Sequence, residues 1–219
     1  MRVLDVGAGN GNAAAAALAA GSADVVASDP EPRMLALGRE RLGEAVTWVE
    51  AGAEGVPFAD GAFDVVVSCF GAIFAHDHER TAAEMARVGG VVALTAWVVI
   101  GALAEVATLV GRNAAPPPAG AGSLAKWGDV DYLRDHFERH GLGVEVTRET
   151  LPFEAPSLNA WIERQERYST QWNAAQQREG DAWPELRAEI RSLLEVANEA
   201  PEAFRLTSSY LLAVARPSA

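Results

Sequence analysis

Hydrophobic and polar positions follow two different periods along the first hundred residues. Short apolar runs predict five β-strands, at residues 3–6, 24–29, 46–49, 63–68 and 91–97. Apolar residues at helical spacing predict three helices between them, at residues 13–20, 30–42 and 77–88. Strands that alternate with helices indicate a parallel sheet with helices on both faces. The pattern therefore predicts an α/β fold.

The second half of the chain is less regular. After a Pro- and Gly-rich loop at 116–122, the pattern predicts a helix at 129–140, a strand at 144–151, helices at 157–178 and 183–197, and a strand at 210–215. Two amphipathic helices thus separate the last two predicted strands.

A glycine turn joins the first strand to the first helix. Gly7, Gly9 and Gly11 let the backbone turn tightly and approach a ligand, and the helix that follows offers free N–H groups to it. This geometry is typical of a nucleotide-type cofactor site. The dinucleotide fingerprint requires a small residue three positions after its second Gly: counted from Gly9 that position is Asn12, whereas counted from Gly11 it is Ala14. The glycines alone therefore leave an NAD-type cofactor open.

Acidic residues near the glycine turn bear on which class of cofactor it binds. Asp5 ends a buried strand, where a carboxylate is costly unless it is hydrogen-bonded or faces a polar ligand. The run Asp5-Val-Gly-Ala-Gly-Asn-Gly11, the acid Asp29 at the end of the second strand, and the block from Glu54 to Asp64 together resemble class I S-adenosylmethionine-dependent methyltransferases. The resemblance is strong over about the first hundred residues and is closest to the small-molecule branch that includes quinone-biosynthesis C-methyltransferases.

The resemblance implies a Rossmann-like, doubly wound sheet of seven strands that ends in an antiparallel hairpin. It implies a single domain over residues 1–219, with a cofactor-binding core at 1–97 and insertions at 98–128 and 156–200 that cover the substrate. The expected cofactor is S-adenosyl-L-methionine, with S-adenosyl-L-homocysteine as the product. The expected partner is a small aromatic or polyketide-like acceptor, and a homodimer is left open.

The resemblance also implies a set of cofactor-binding residues. The glycine turn, with Gly7, Ala8, Gly9, Asn10 and Gly11, is expected at the methionine end, with Asp5 behind that turn and Asp29 at the ribose. Pro30 and Met34 are expected to pack on adenine, and Ala53 and Glu54 are expected at its edge. Cys69 and Phe70 are expected near the sulfonium. Gly52 stands where the family often has an Asp for the adenine amino group.

A histidine near the fourth strand is the candidate general base. His76 follows that strand, and a neutral imidazole near pH 7 suits proton abstraction. The alternative is that His76 and Asp77 only start a helix and that His78 lies on the surface. His136 and His140 fall on a predicted surface helix and are expected to be structural. The aromatic residues of the second half are expected to be core residues, with one or two of them touching the substrate.

Composition excludes several other classes. The formal charge of −12 opposes binding to nucleic acid or to an anionic membrane surface. Cys69 is the only cysteine, so neither an intrachain disulfide nor a cysteine-cluster metal site can form, and we expect no metal. The first residues lack the apolar stretch of a signal peptide, and the apolar run at 89–104 is too short for a bilayer span. A cytoplasmic location is expected.

Two features keep other functions open. Family members usually carry one or two helices before the first strand, whereas this chain begins with that strand at Arg2. Together with Gly52, this favours as a second hypothesis a protein that binds the cofactor but catalyses a non-methylating reaction or regulates. An NAD-type oxidoreductase is the third hypothesis.

Overall fold

A computed structural model describes residues 1–116 and 120–218. The chain divides into two compact units. Unit 1 comprises Met1–Val98, Pro118–Glu149 and Tyr210–Ala219, and unit 2 comprises Val99–Pro117 and Thr150–Ser209, each within the described residues. Residues 117–119, in the predicted loop at 116–122, lie outside the described part.

Seven strands form one sheet in the order β3-β2-β1-β4-β5-β7-β6. They are β1 (Arg2–Val6), β2 (Asp24–Asp29), β3 (Thr47–Glu50), β4 (Phe63–Cys69), β5 (Gly89–Trp97), β6 (Leu142–Ala155) and β7 (Phe204–Pro217). The pairs among β1 to β5 are parallel, and β7 pairs with β5 in the antiparallel direction. The predicted α/β fold and its seven-stranded sheet are confirmed.

The helices of unit 1 are α1 (Asn12–Ala19), α2 (Pro32–Leu42), α3 (His78–Val88) and α5 (Val130–Glu138). Apolar side chains lie on both faces of the sheet, as the alternation of a strand requires. Val25 and Ala27 pack with Ala14 of α1 in one cluster, whereas Val26 belongs to a second cluster that contains Met85 of α3 and Phe137 of α5. The parallel sheet is therefore covered on both sides, as the doubly wound prediction requires.

Helix α3 begins where the sequence predicts. The side chain of Asp77 accepts a hydrogen bond from the Arg80 N–H, which is the bond of an N-terminal cap. At its other end α3 passes directly into β5 at Gly89, a join without a connecting loop. The expected surface position of His78 is wrong: the residue is 4% exposed, and its ring lies against Trp127 and Tyr132. His136, expected on the surface, is also buried.

The helices of unit 2 are α4 (Gly101–Val110), α6 (Leu158–Tyr168), α7 (Thr170–Glu179) and α8 (Trp183–Ala197). The single helix predicted at 157–178 is wrong, because Ser169 is extended and divides it. The Ser169 N–H ends α6 on the Gln165 carbonyl, and its hydroxyl accepts from the Trp172 N–H to begin α7. The break lets Trp161 and Trp172 meet edge to face in the core of unit 2.

In the described part of the chain, none of the helices combines the length and the apolar character that crossing a membrane requires. The expected role of residues 98–128 and 156–200 as a substrate cover stays a prediction.

Candidate cofactor site

The glycine turn after β1 adopts backbone angles that favour glycine. Gly7, Gly9 and Gly11 have φ values of 66°, 55° and 86°. A Cβ on Gly7 would lie 2.8 Å from the backbone carbon atoms of Gly71, so the turn and the segment after β4 meet backbone to backbone. At Gly9, by contrast, no described atom lies within 4 Å of such a Cβ. The turn is therefore packed on one side and open at Gly9.

Asp5 holds the first turn of α1 from behind. Its Oδ2 accepts a hydrogen bond of 2.9 Å from the Ala14 N–H, while Gly11, at the helix start, supplies no side-chain cap. The residue is 1% exposed, and its Oδ1 has no hydrogen-bond partner among the described residues. Burial raises the pKa of the Asp5 carboxyl to about 7, an effect that the Ala14 hydrogen bond opposes and the nearby Asp29 charge reinforces.

Asp29 joins the end of β2 to the glycine turn. Its Oδ2 accepts a hydrogen bond of 2.8 Å from the Gly9 N–H, and its Oδ1 accepts one of 2.9 Å from the Glu31 N–H. The Ala8 N–H donates to the Ser28 carbonyl at 2.9 Å. The carboxyl ends of β1 and β2 are thus fastened together, with an acidic group between them.

Three residues at the ends of β4 and β5 support the site, although no sequence pattern indicates them as part of it. The Ser68 hydroxyl donates to the Val6 carbonyl at 2.7 Å and accepts from the Ala72 N–H at 2.8 Å. Thr95 accepts from the Phe70 N–H at 3.0 Å, and Phe70 has a φ of 57°. Gly71 is the missed partner of Gly7. A serine and a glycine around a strand end are the available signals, but their contacts span more than sixty positions.

Aromatic rings gather beside Phe70. Its ring stacks on Trp97 with centroids 4.0 Å apart and planes 12° apart, and Tyr210 meets it edge to face at 5.5 Å. All three side chains are partly exposed. Because Trp97 ends β5, this apolar surface lies at the same carboxyl edge of the parallel strands as the glycine turn.

Glu54 and His76 meet at a second point. Glu54 Oε1 accepts hydrogen bonds from the N–H groups of His76 and Asp77, at 2.6 and 2.7 Å. These residues line a surface cavity together with Gly52, Gly55 and Arg80. His76 is exposed, and its N–H bond to Glu54 puts it beside one of the residues predicted for the adenine edge.

The remaining predicted residues differ in exposure. Ala8 and Ala53 are buried, whereas Asn10, Pro30 and Cys69 are exposed and Met34 is 39% exposed. Hydrogen bonds bring together Asp29 and Gly9, and separately Glu54 and His76. Their roles toward a cofactor stay predictions.

Comparisons with known proteins agree with this geometry. Residues 3–89 match a family model described as a methyltransferase domain. An uncharacterised protein of Mycobacterium tuberculosis is 38% identical over 156 residues, which are 68% of this chain and 57% of that protein. A demethylmenaquinone methyltransferase of Thermus thermophilus is 37% identical over 127 residues, 56% of this chain and 51% of that protein. The chain thus spans little more than half the length of these relatives.

A solved structure shows the same fold. The YcgJ protein of a Bacillus species superposes with a TM-score of 0.66 over 100% of this chain and 92% of that chain, at 19% identity. At that identity the likeness concerns the fold alone.

Proposed function

We propose that this chain transfers a methyl group from S-adenosylmethionine to a small-molecule acceptor, since residues 3–89 match a family model described as a methyltransferase domain. The observation that carries the proposal is the hydrogen bond of 2.8 Å between Asp29 Oδ2 and the Gly9 N–H. It brings a carboxylate at the end of β2 to an open glycine turn, an arrangement that suits the ribose and the amino-acid tail of this cofactor.

The residues present fit this cofactor. A carboxylate has about four acceptor positions, and the two N–H groups bonded to Asp29 leave room for the ribose hydroxyls. The open space at Gly9 lets the backbone approach the methionine end without a Cβ in the way. The N-terminus of α1 suits the carboxylate of that end, because the helix dipole favours negative charge there.

Other residues complete the proposed site. Met34 and Pro30 pack on adenine, and both are exposed enough to do so. Ala53 and Glu54 meet the adenine edge, while Cys69 and Phe70 lie toward the reacting centre from the end of β4. Since Gly52 carries no side chain, backbone groups or Glu54 serve the adenine amino group.

The proposed mechanism depends mainly on orientation. The bound cofactor supplies an electrophilic methyl group on a sulfonium, and displacement requires donor and acceptor in line. An enzyme obtains much of the rate acceleration of such a displacement by holding donor and acceptor in place and by excluding water. Asp5 and Asp29 fix the turn that holds the donor. His76 is the proposed base for an acceptor hydroxyl or amine. Its backbone N–H donates to Glu54, on the adenine side of the proposed site, so the variant His76→Ala tests whether the residue acts in catalysis at all.

For the acceptor we propose a planar aromatic molecule. Its support is the partly exposed aromatic group of Phe70, Trp97 and Tyr210, since aromatic rings favour offset or edge contacts with one another. The relative named as a demethylmenaquinone methyltransferase acts, by its name, on a quinone-type compound. The net charge of −12 disfavours a nucleic-acid acceptor.

Calorimetry with S-adenosylhomocysteine tests the cofactor assignment. We expect binding by the unmodified chain and a loss of at least tenfold in affinity for Asp29→Ala, because the ribose acceptor is removed, an effect of about 1.4 kcal/mol or more. Asp181→Ala, an exposed carboxylate of unit 2, is the matched control and should bind normally. Absence of binding, or preferential binding of NADH, would contradict the proposal.

Methyl transfer is tested with methyl-labelled S-adenosylmethionine and a panel of quinols and phenols. Label in the acceptor supports the proposal. Conversion of an acceptor while all label stays on the cofactor would instead support a non-methylating enzyme. In the same assay, His76→Ala should lower kcat if His76 is the base, and should leave it unchanged if it only lines the cavity.

A further inference from the structure

Asp5 is almost fully buried, yet its carboxyl group makes few hydrogen bonds. Only one of its two oxygens, Oδ2, is bonded to a described residue, the Ala14 N–H. At 1% exposure the anionic carboxylate has lost its water and has gained a single donor in return. Such burial favours the neutral acid over the anion.

The charges around Asp5 do not compensate for this burial. On β2, Asp5 is paired with Ala27, and the charged residue of that strand that acts on it is Asp29, which is acidic as well. On β4, Asp5 is paired with Val67; the charged group of β4 is Asp64, which accepts from the Arg2 N–H at the other end of β1.

Helix α1 adds no charge, because the segment Asn12–Ala19 contains no ionisable side chain. Cys69 closes β4 and is the remaining titratable group of that strand. Among the described residues, the charge that acts on Asp5 is therefore that of Asp29 and not that of a cation. Burial raises the pKa of the Asp5 carboxyl to about 7.

We propose that Asp5 is a positioning residue that releases its proton when the cofactor binds, so that cofactor affinity increases with pH around neutrality. This step rests on the proposed function, in which the glycine turn in front of Asp5 holds the amino-acid end of the cofactor. The ammonium of that end brings a positive charge to a carboxyl that has none nearby. The charge favours the Asp5 anion, and the anion in turn strengthens its bond to the Ala14 N–H.

The proton balance fixes the size of the effect. With a pKa of about 7, roughly half of the free protein carries the proton at pH 7. If the complex holds Asp5 ionised throughout, binding at pH 7 releases about half a proton to the buffer, and affinity increases about tenfold between pH 6 and pH 8.

Calorimetry with S-adenosylhomocysteine in two buffers of different ionisation enthalpy measures this release. We expect a buffer-dependent heat for the unmodified chain, and no such dependence for Asp5→Asn, which keeps an acceptor for the Ala14 N–H but does not titrate. 5′-Methylthioadenosine, which lacks the amino-acid end, is the matched ligand and should release no proton from either protein.

A second measurement is independent of the variant's stability. In the unmodified chain, the carboxyl carbon of labelled Asp5 should titrate near neutrality by nuclear magnetic resonance, and at a lower pH when S-adenosylhomocysteine is bound. Binding that does not vary with pH or buffer would overturn this inference and leave the proposed function standing. Proton release that persists in Asp5→Asn would also overturn it. Absence of any binding would overturn both.

Discussion

Replacing Gly7 by alanine tests how the glycine turn is packed. The new Cβ would lie 2.8 Å from the carbonyl carbon and Cα of Gly71, and 3.1 Å from the Ala72 nitrogen. Backbone atoms cannot turn aside as a flexible side chain can, so either the turn or the segment after β4 must move. Gly9→Ala is the matched control, because Gly9 has a similar φ of 55° but open space around its Cβ.

The two substitutions share one cost and differ in another. A left-handed backbone costs a residue with a Cβ about 1–2 kcal/mol, and both positions incur it. Overlap with packed atoms adds about 1–3 kcal/mol, and only Gly7→Ala incurs that. We therefore expect Gly7→Ala to lower the free energy of unfolding by about 2–5 kcal/mol and Gly9→Ala by about 1–2 kcal/mol. Native domains have a free energy of unfolding of about 5–15 kcal/mol, so Gly9→Ala should fold, whereas the upper end of the Gly7→Ala loss reaches the lower end of that range.

Urea unfolding followed by circular dichroism measures both free energies of unfolding. The slope of that free energy against urea concentration should be the same in both variants and the unmodified chain. In calorimetry with S-adenosylhomocysteine, Gly9→Ala should lose more affinity than Gly7→Ala relative to the stability that each variant loses. The reason is that the Cβ of Gly9→Ala enters the space proposed for the cofactor. Equal losses of stability in the two variants would refute the close approach of Gly7 and Gly71. Unchanged affinity in Gly9→Ala would refute the placement of the cofactor against that turn.

Three further variants have expected outcomes. Since the folded pKa of Asp5 is about 7 and its ordinary value 3.8, ionisation destabilises the fold increasingly from pH 4 to 7; Asp5→Asn should be more stable above pH 7, by at most about 4 kcal/mol, and similar at pH 4 in urea unfolding. Burial lowers the pKa of His78 below 6.5, so the unmodified chain should lose stability as pH falls below that value, and a thermal melt at pH 5 and 7 should show a smaller loss for His78→Phe. Glu54→Ala leaves the His76 and Asp77 N–H groups without their acceptor and should cost about 1–2 kcal/mol in urea unfolding, whereas Glu54→Gln, which retains an acceptor, should cost less.

Local patterns were sufficient for the order of the elements. The alternation of apolar runs and helical spacing predicted the first five strands within a few residues of their observed bounds. The positive φ of Gly7, Gly9 and Gly11 and the cap formed by Asp77 are likewise properties of neighbouring residues. Such features depend on short-range sterics and hydrogen bonds, which a sequence displays directly.

Contacts between distant residues were beyond such patterns. The burial of His78 depends on Trp127 and Tyr132, about fifty residues later, and no periodicity of α3 indicates them. The division of the 157–178 helix at Ser169 depends on the packing of Trp161 against Trp172. A serine is tolerated within a helix as well as at its start, so its local preference left both outcomes open.

Asp5 shows where the two kinds of information meet. The sequence by itself determined that a carboxylate at the end of a buried strand needs a hydrogen bond or a polar ligand. Only the tertiary structure decided that its partner is the Ala14 N–H and that its charged neighbour is Asp29. The physical reason is that hydrogen bonding and the pKa depend on distances through space, and the fold sets those distances when it brings the ends of β1, β2 and α1 together.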